Sequence, residues 1–157
     1  MTSPALPGWP SSDRGYRRSE VTSVVGRGDA KWEQAAFDVL RWKVKTASGF
    51  SVDAPGPVSQ GDDVIVTANI CGVTVVEPVE VLSVVQEPDR VGFAYRTMPG
   101  HPVRGEEAFI VHRHGDEVQL TIRSLTRAAP QQPWRLLYPL LLIAQQVARR
   151  RYLRALR

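Results

Sequence analysis

The chain has 157 residues, of which 43% are apolar and 23% charged, a composition typical of one globular domain that excludes a disordered or fibrous chain. Its single cysteine, Cys71, excludes an intramolecular disulfide, and with three histidines we expect no metal site and no cofactor. The net charge of +4 originates in residues 127–157, which carry seven arginines and no acidic residue, so we expect no specific nucleic-acid partner.

The first thirteen residues contain three prolines and three serines. They predict an irregular leader, or an extended arm with Trp9 packed on the body, ahead of a single domain over 14–157. The start of the chain lacks the charged-then-apolar order of a signal peptide, and no apolar run approaches the ~20 residues of a membrane span. We therefore expect a cytoplasmic location.

The next elements are a β-rich stretch from Glu20 to Val25 and an amphipathic helix over 30–43, capped by Asp29. A short extended piece and turn follow at 50–57. The remaining β-rich region is interrupted at Pro78, where we expect a bend or bulge, and it turns at Cys71-Gly72. The spacing of strands and turns predicts a five-strand antiparallel meander. Its β-rich segments are 64–70, 73–76 continued beyond Pro78 as 79–85, 90–97, 106–113 and 117–125.

The last element is a long helix over roughly 133–156, kinked at Pro139. A wide apolar stripe runs along it, and we expect this stripe to pack across the concave face of the sheet. The stripe comprises Leu136, Leu140, Ile143 and Val147 with the neighbouring Leu137, Leu141, Ala144 and Ala148. The predicted fold is α+β: a curved antiparallel sheet wrapped around a long C-terminal helix, with a cavity between them. This order is similar to the helix-grip arrangement of START and Bet v 1-like proteins.

Polar residues concentrate in and beside the two strands that flank the loop 98–105. Because side chains alternate along a strand, the apolar-rich faces should look inward. The inward set then includes polar groups at the end of an apolar interior, and His101 can fold back toward them from the loop. The candidate ligand-binding residues are Tyr95, Thr97, His101, Glu107, Phe109 and Ser124.

Two interpretations of Glu107 stay open. In the functional one, Glu107 with Tyr95 and Thr97 binds the polar head of a ligand or transfers a proton. In the structural one, Glu107 fixes the loop by accepting hydrogen bonds from backbone amides near Gly100 and Gly105. His101 has the same alternatives, whereas the other two histidines, which alternate near a turn, are expected at the surface.

Several motifs resemble the DUF1990 family, also called UPF0548, over roughly residues 14–156. The most specific is FAYRTMPGHPVRGEEAF (93–109), and VGRGDAKWEQAAFDVLRWK (25–43) and the C-terminal Tyr152-Leu153-x-Ala155-Leu156 also fit. Arg96 stands where the family usually has glycine, and the residues after Ser124 depart from its usual ending. The resemblance implies a START-like relation and the location of the site, but no reaction.

Three functions are compatible with these features. The first is binding of a small apolar or amphipathic molecule in the cavity. The second is an enzyme that uses Glu107 or His101 as general acid or base on such a molecule. The third is contact with a partner or an anionic membrane through Arg149, Arg150 and Arg151, which we expect to be weak and salt-sensitive.

Overall fold

A seven-stranded antiparallel sheet forms the body of the computed structural model, which describes residues 1–10, 14–54, 56–70 and 72–157. The strand order is β1-β7-β6-β5-β4-β3-β2. Cys71, predicted in a hairpin turn, lies outside the described residues, as do residues 11–13 of the predicted leader and Pro55 of the predicted turn. The elements are β1 (Arg17–Arg27), α1 (Asp29–Val39), α2 (Lys43–Thr46), β2 (Phe50–Val52), β3 (Asp63–Ile70), β4 (Val73–Glu87), β5 (Arg90–Thr97), β6 (Val103–His114), β7 (Glu117–Ala128) and α3 (Trp134–Tyr152).

The predicted five-strand meander is confirmed as β3 to β7, each strand paired with the next. β1 completes the sheet beside β7, with Val21 opposite Ile122. Together with the C-terminal helix, this curved sheet confirms the predicted α+β helix-grip fold.

Of the bend or bulge expected at Pro78, the bulge lies elsewhere: β4 runs through this residue without a register shift, which comes later, between Val81 and Ser83. Pro78 lies opposite Ile65, whose backbone N–H and C=O bond to Asp53 instead. At Pro78, β3 therefore offers no free backbone acceptor. The missing N–H of the proline costs no hydrogen bond between β3 and β4.

The helix predicted over 30–43 is two helices. α1 ends at Val39, and Trp42 adopts a left-handed backbone conformation with φ of 60° before α2 begins. Its indole is buried against the rings of Phe93 and Tyr95, with centroids 4.7 Å and 5.3 Å away. This packing stabilises an otherwise unfavourable conformation, and the turn directs Lys45 of α2 into the interior.

The core lies between the concave face of the sheet and α1 and α2. Trp32, Ala35 and Val39 supply one face of α1. They pack with inward-facing strand residues such as Phe93 and Ile122, both fully buried. The helix is thus held by an apolar stripe rather than by a side-chain cap, because the N-cap is Gly28 and Asp29 makes no capping bond.

The expectation that the apolar stripe of α3 packs on the concave face is wrong for four of its residues. Leu136, Leu140, Ile143 and Val147 are 77%, 63%, 60% and 46% exposed. Tyr152 is the one fully buried side chain of α3, and just beyond it Ser23 Oγ donates to the Leu153 carbonyl oxygen at 2.8 Å. The helix is anchored at its C-terminal end and elsewhere stands off the sheet.

No helix within the described residues is long and apolar enough to cross a membrane.

Residues 1–10 lie on the face of the sheet opposite the core. Arg90 donates to the carbonyl oxygens of Pro4 and Leu6, and Arg123 to those of Ser3 and Pro7. Trp9 is buried there as well. The segment therefore covers the middle of the sheet, which is buried on both sides.

Candidate functional site

A cavity of about 390 Å³ lies between α3 and the concave face of the sheet. It exists because α3 stands off the sheet and contributes small or half-buried side chains to one wall. The apolar wall includes Phe50, Ala68, Ile70, Val75, Leu141 and Ala144. The ionisable groups in the wall are Lys45, Glu77, Tyr95, His101, Glu106, Glu107, Arg149, Arg151 and Tyr152.

Most of the predicted site residues line this cavity. Tyr95 on β5 lies directly opposite Glu107 on β6, which lies opposite Ser124 on β7. The Tyr95 hydroxyl donates to Glu107 Oε2. Three neighbouring strands thus place these polar groups side by side on the cavity wall. Phe109, on the same face, packs behind them: it is fully buried and does not line the cavity.

The loop before β6 is braced by Thr97 and His101. Thr97 Oγ1 accepts the Gly105 N–H at 3.0 Å, and His101 Nδ1 accepts the Val103 N–H at 3.1 Å. Gly105 passes so close to β7 that a Cβ atom would stand 1.7 Å from the Leu125 carbonyl oxygen, so a side chain is excluded. Glu107 accepts no hydrogen bond from a backbone amide of this loop, because its partners are the side chains of Tyr95 and Lys45.

Lys45 is the cation at the centre of the buried cluster, and sequence reasoning missed it. Its Nζ donates to the Tyr152 hydroxyl at 2.8 Å and lies 3.6 Å from Glu107 Oε2. The Phe50 ring centroid is 4.6 Å from the same atom. Burial lowers the pKa of Lys45, but Tyr152, Tyr95 and the carboxylates of Glu107 and Glu77 outweigh it and raise the pKa well above its usual value. Lys45 is therefore charged.

Glu77 is the second residue that sequence reasoning missed. Its Oε2 lies 3.8 Å from Lys45 Nζ and 3.9 Å from His101 Nε2. Burial raises the pKa of Glu77, Lys45 opposes that effect and the negative charge of Glu107 adds to it. Burial likewise raises the pKa of Tyr95 well above its usual value, with Glu107 as the next cause. Both tyrosine hydroxyls of the site stay protonated, since burial also raises the pKa of Tyr152.

His101 is a neutral hydrogen-bonding group. Burial, followed by the nearby charge of Lys45, lowers its pKa to about 3. At physiological pH the imidazole is therefore neutral and has no imidazolium proton to donate as a general acid.

Glu77 could have been found from the alternation along β4. Val75, Glu77, Val79 and Val81 share one face of the strand, and the three valines are buried. A carboxylate in an apolar run of period two indicates an inward-facing charge. Treating Pro78 as a break in the strand concealed that pattern. No comparable local pattern points to Lys45 or Tyr152, because whether each side chain faces the cavity depends on how its helix is oriented against the sheet.

The three C-terminal arginines differ in position. Arg149 and Arg151 line the cavity, and Arg149 donates to Ser124 Oγ at 3.0 Å, whereas Arg150 is exposed. The other histidines lie on the opposite face of the sheet, where a ring nitrogen of His112 hydrogen-bonds Thr121 at 2.8 Å and His114 is exposed. Within the described ranges, no group of three or more histidine, cysteine or acidic side chains could hold a metal ion.

Comparison with known proteins extends these observations. The family model described as "Domain of unknown function (DUF1990)" matches residues 4–155. A UPF0548 protein of Deinococcus radiodurans is 46% identical over 78 residues, which are 48% of this chain and 38% of that relative. The chain thus matches well under half the length of its curated relative.

Two solved structures show the same fold at low sequence identity. An aromatase/cyclase from a Streptomyces species matches with a TM-score of 0.58 and 16% identity, covering 88% of this chain and 92% of that one. A START superfamily protein from Mycobacterium smegmatis matches with a TM-score of 0.52 and 13% identity, covering 87% of this chain and 94% of that one. With the family model spanning nearly every residue, the chain belongs to the DUF1990 (UPF0548) family and has a START-like fold.

Proposed function

We propose that this protein binds a small apolar or amphipathic molecule in the cavity between the sheet and α3. The observation that carries the proposal is the cavity itself, whose volume of about 390 Å³ lies in the ~300–1,000 Å³ range of small-molecule sites. Its wall is mainly apolar, and its polar groups converge on one buried cluster. That combination is typical of a site that buries the apolar body of a ligand and orients its polar end.

The polar end of the ligand would be oriented by the groups on three adjacent strands. Tyr95 and Glu107 form one hydrogen-bonded pair, and Thr97 and Ser124 lie on the same wall. Phe109 supports Tyr95 from behind, with ring centroids 6.0 Å apart. We place the protein in the cytoplasm as part of the same proposal.

Filling the cavity tests the proposal. Ala144 faces the cavity from α3, so Ala144→Trp should block it, whereas Gln146→Trp puts the same ring on the exposed side of the helix. The probe is N-phenyl-1-naphthylamine, an uncharged dye that fluoresces in apolar sites. We expect saturable binding by the natural chain and by Gln146→Trp, and its loss in Ala144→Trp. Equal binding by both variants would place the dye elsewhere and refute the proposal.

An enzyme that transfers a proton to or from the ligand is the alternative, with Glu107 as general acid or base. His101, the other candidate from the sequence, is neutral and its Nδ1 is occupied by the Val103 N–H. The raised pKa of Glu77, beside Glu107 in the same cluster, favours chemistry of this kind. Native mass spectrometry of the chain and of Glu107→Gln, both purified from the host, separates the two functions. A pure binder should carry the same molecule in both, whereas an enzyme should accumulate a molecule of different mass in the variant.

Contact with an anionic membrane is favoured by one feature of α3. Its exposed apolar stripe continues at intervals of three and four residues into Arg150, Arg151 and Arg154, so apolar and basic groups share one side. With Arg149, these arginines should give weak binding to phosphatidylserine vesicles that disappears at moderate salt. Tight binding that survives high salt would make membrane docking a main function instead.

A further inference from the structure

Glu77 lines the cavity without a hydrogen-bond partner at normal distance. The distances from its Oε2 to Lys45 Nζ and His101 Nε2, 3.8 Å and 3.9 Å, exceed the ~3.2 Å upper range of an N–H···O hydrogen bond. In the part of the chain that the structure describes, no side chain or backbone group donates a hydrogen bond to this carboxylate. Its side chain is only 16% exposed, and it lines the cavity. A carboxylate held this way favours a ligand that brings a donor.

His101 presents a donor to the same region. Because the Val103 N–H donates to Nδ1, that nitrogen is the acceptor of the neutral ring, and the ring hydrogen sits on Nε2. Nε2 is the atom that faces Glu77. The ammonium of Lys45 spends one N–H on Tyr152 and has two more. One acceptor and two kinds of donor therefore border a single point of the cavity.

The surrounding charges disfavour an ionised ligand group at this point. A carboxylate or phosphate would meet the carboxylates of both Glu77 and Glu107, whose shared cation is Lys45. Of the two arginines on the cavity wall, Arg149 already donates to Ser124, and neither forms an ion pair with Glu77 or Glu107. An ammonium would meet Lys45 itself and, along the cavity wall, Arg149 and Arg151. An uncharged hydroxyl avoids both penalties and can donate and accept at once.

We infer that the ligand is an uncharged alcohol or phenol with an apolar body, whose hydroxyl donates to Glu77 and accepts from His101 Nε2–H or Lys45. This inference rests on the proposed function and names the chemical class of its ligand. In that geometry Glu77 and His101 recognise the hydroxyl by hydrogen bonds, and the apolar wall accommodates the rest of the molecule.

Four naphthalene probes test the class, because they share one ring system and differ in one group. They are 2-naphthol, 2-methoxynaphthalene, 2-naphthoate and 2-(aminomethyl)naphthalene, each competing with N-phenyl-1-naphthylamine at neutral pH. A hydrogen bond to a charged acceptor contributes enough to change affinity by about tenfold or more. We expect 2-naphthol to bind about tenfold tighter than 2-methoxynaphthalene, and the two charged probes to bind most weakly.

The outcomes distinguish this inference from the proposed function. If all four probes compete with similar affinity, or if a charged probe is the tightest, the cavity binds ligands but the inferred class is wrong. If no probe competes and the dye itself does not bind, the cavity proposal fails and this inference fails with it.

The variant Glu77→Gln tests whether Glu77 is the residue responsible for the preference for 2-naphthol. It keeps the shape of the side chain and removes its charge, so the advantage of 2-naphthol over 2-methoxynaphthalene should fall from about tenfold to near twofold. Glu80→Gln is the matched control, since Glu80 lies on the same strand but pairs with Arg96 outside the cavity. An unchanged advantage in Glu77→Gln would overturn the role of Glu77.

Discussion

Lys45 Nζ donates a 2.8 Å hydrogen bond to the hydroxyl of Tyr152, joining α2 to the C-terminal end of α3 across 107 positions of the chain. The same ammonium is the cation for two carboxylates, so a single residue connects the short helix, the long helix and two strands. Removing the ammonium would leave Glu77 and Glu107, whose side chains are only 16% and 19% exposed, without the ion pair that they share.

We therefore predict that Lys45→Met lowers the free energy of unfolding by about 3 kcal/mol, the usual cost of leaving a buried charge unpaired. Tyr152→Phe removes one hydrogen bond and should cost about 1 kcal/mol. Urea denaturation of both variants and of the double variant measures the coupling. If the two effects simply add, the hydrogen bond between the two residues contributes nothing.

Glu77→Gln should stabilise the protein at neutral pH. Burial raises the pKa of Glu77 above its usual 4.5, so ionising it costs more in the folded than in the unfolded chain. The stability that the protonated form supplies is complete below that usual value and is lost as the pH rises through the folded pKa. Denaturation at a series of pH values should show the variant more stable at neutral pH and the difference vanishing near pH 4. A variant that is less stable at neutral pH would contradict the raised pKa.

His101 should make the protein sensitive to acid. Its pKa is about 3 when folded and about 6.5 when unfolded, so only the unfolded chain takes up this proton as the pH falls between those values. Stability is therefore lost on acidification, by about 1.4 kcal/mol per pH unit from this one group. His101→Asn retains an acceptor for the Val103 N–H and removes the titration. The natural chain should lose stability faster than the variant below pH 6.5, and parallel curves would refute the assignment.

Truncation of the exposed stripe of α3 should cost little. Leu140 is 63% exposed, so Leu140→Ala should change the free energy of unfolding by no more than about 0.5 kcal/mol. Ile122, fully buried on β7, is the control, and Ile122→Ala should cost about 2–5 kcal/mol. A cost of 2 kcal/mol or more for Leu140→Ala would show that α3 packs against the sheet in solution.

Arg123 should hold the N-terminal segment on the sheet. It is 1% exposed and donates to the carbonyl oxygens of Ser3 and Pro7 and to the carboxylate of Glu20. Arg123→Met should cost about 3 kcal/mol and speed amide hydrogen exchange of residues 2–9. Arg96→Met is the control, because Arg96 forms a half-exposed pair with Glu80 that should contribute no more than about 1 kcal/mol. Unchanged exchange in Arg123→Met would show that the segment is held by other contacts.

The parts of the fold that could be predicted from the sequence are those with a local periodicity of apolar residues. Alternation of period two is visible within each strand, so β3 to β7 and the shared face of Tyr95, Thr97 and Glu107 could be read without knowing what covers them. The alternation at Glu77 was missed because the pattern was treated as interrupted at Pro78, where a bend or bulge was expected. The helical period likewise led to the prediction that the stripe of α3 packs against the sheet, because a periodic apolar face does not reveal whether anything lies beneath it.

By itself the sequence determined the meander, the C-terminal helix, the absence of an intramolecular disulfide and the family. Only the tertiary structure decided that α3 stands off the sheet, that a cavity results, and that Lys45, Glu77, Glu107 and Tyr152 meet within it. The reason is physical: strand and helix periods are set by neighbouring residues, whereas these four side chains meet because Trp42 turns α2 inward and Tyr152 anchors the end of α3. Such contacts join residues far apart in the chain, and packing alone brings them together.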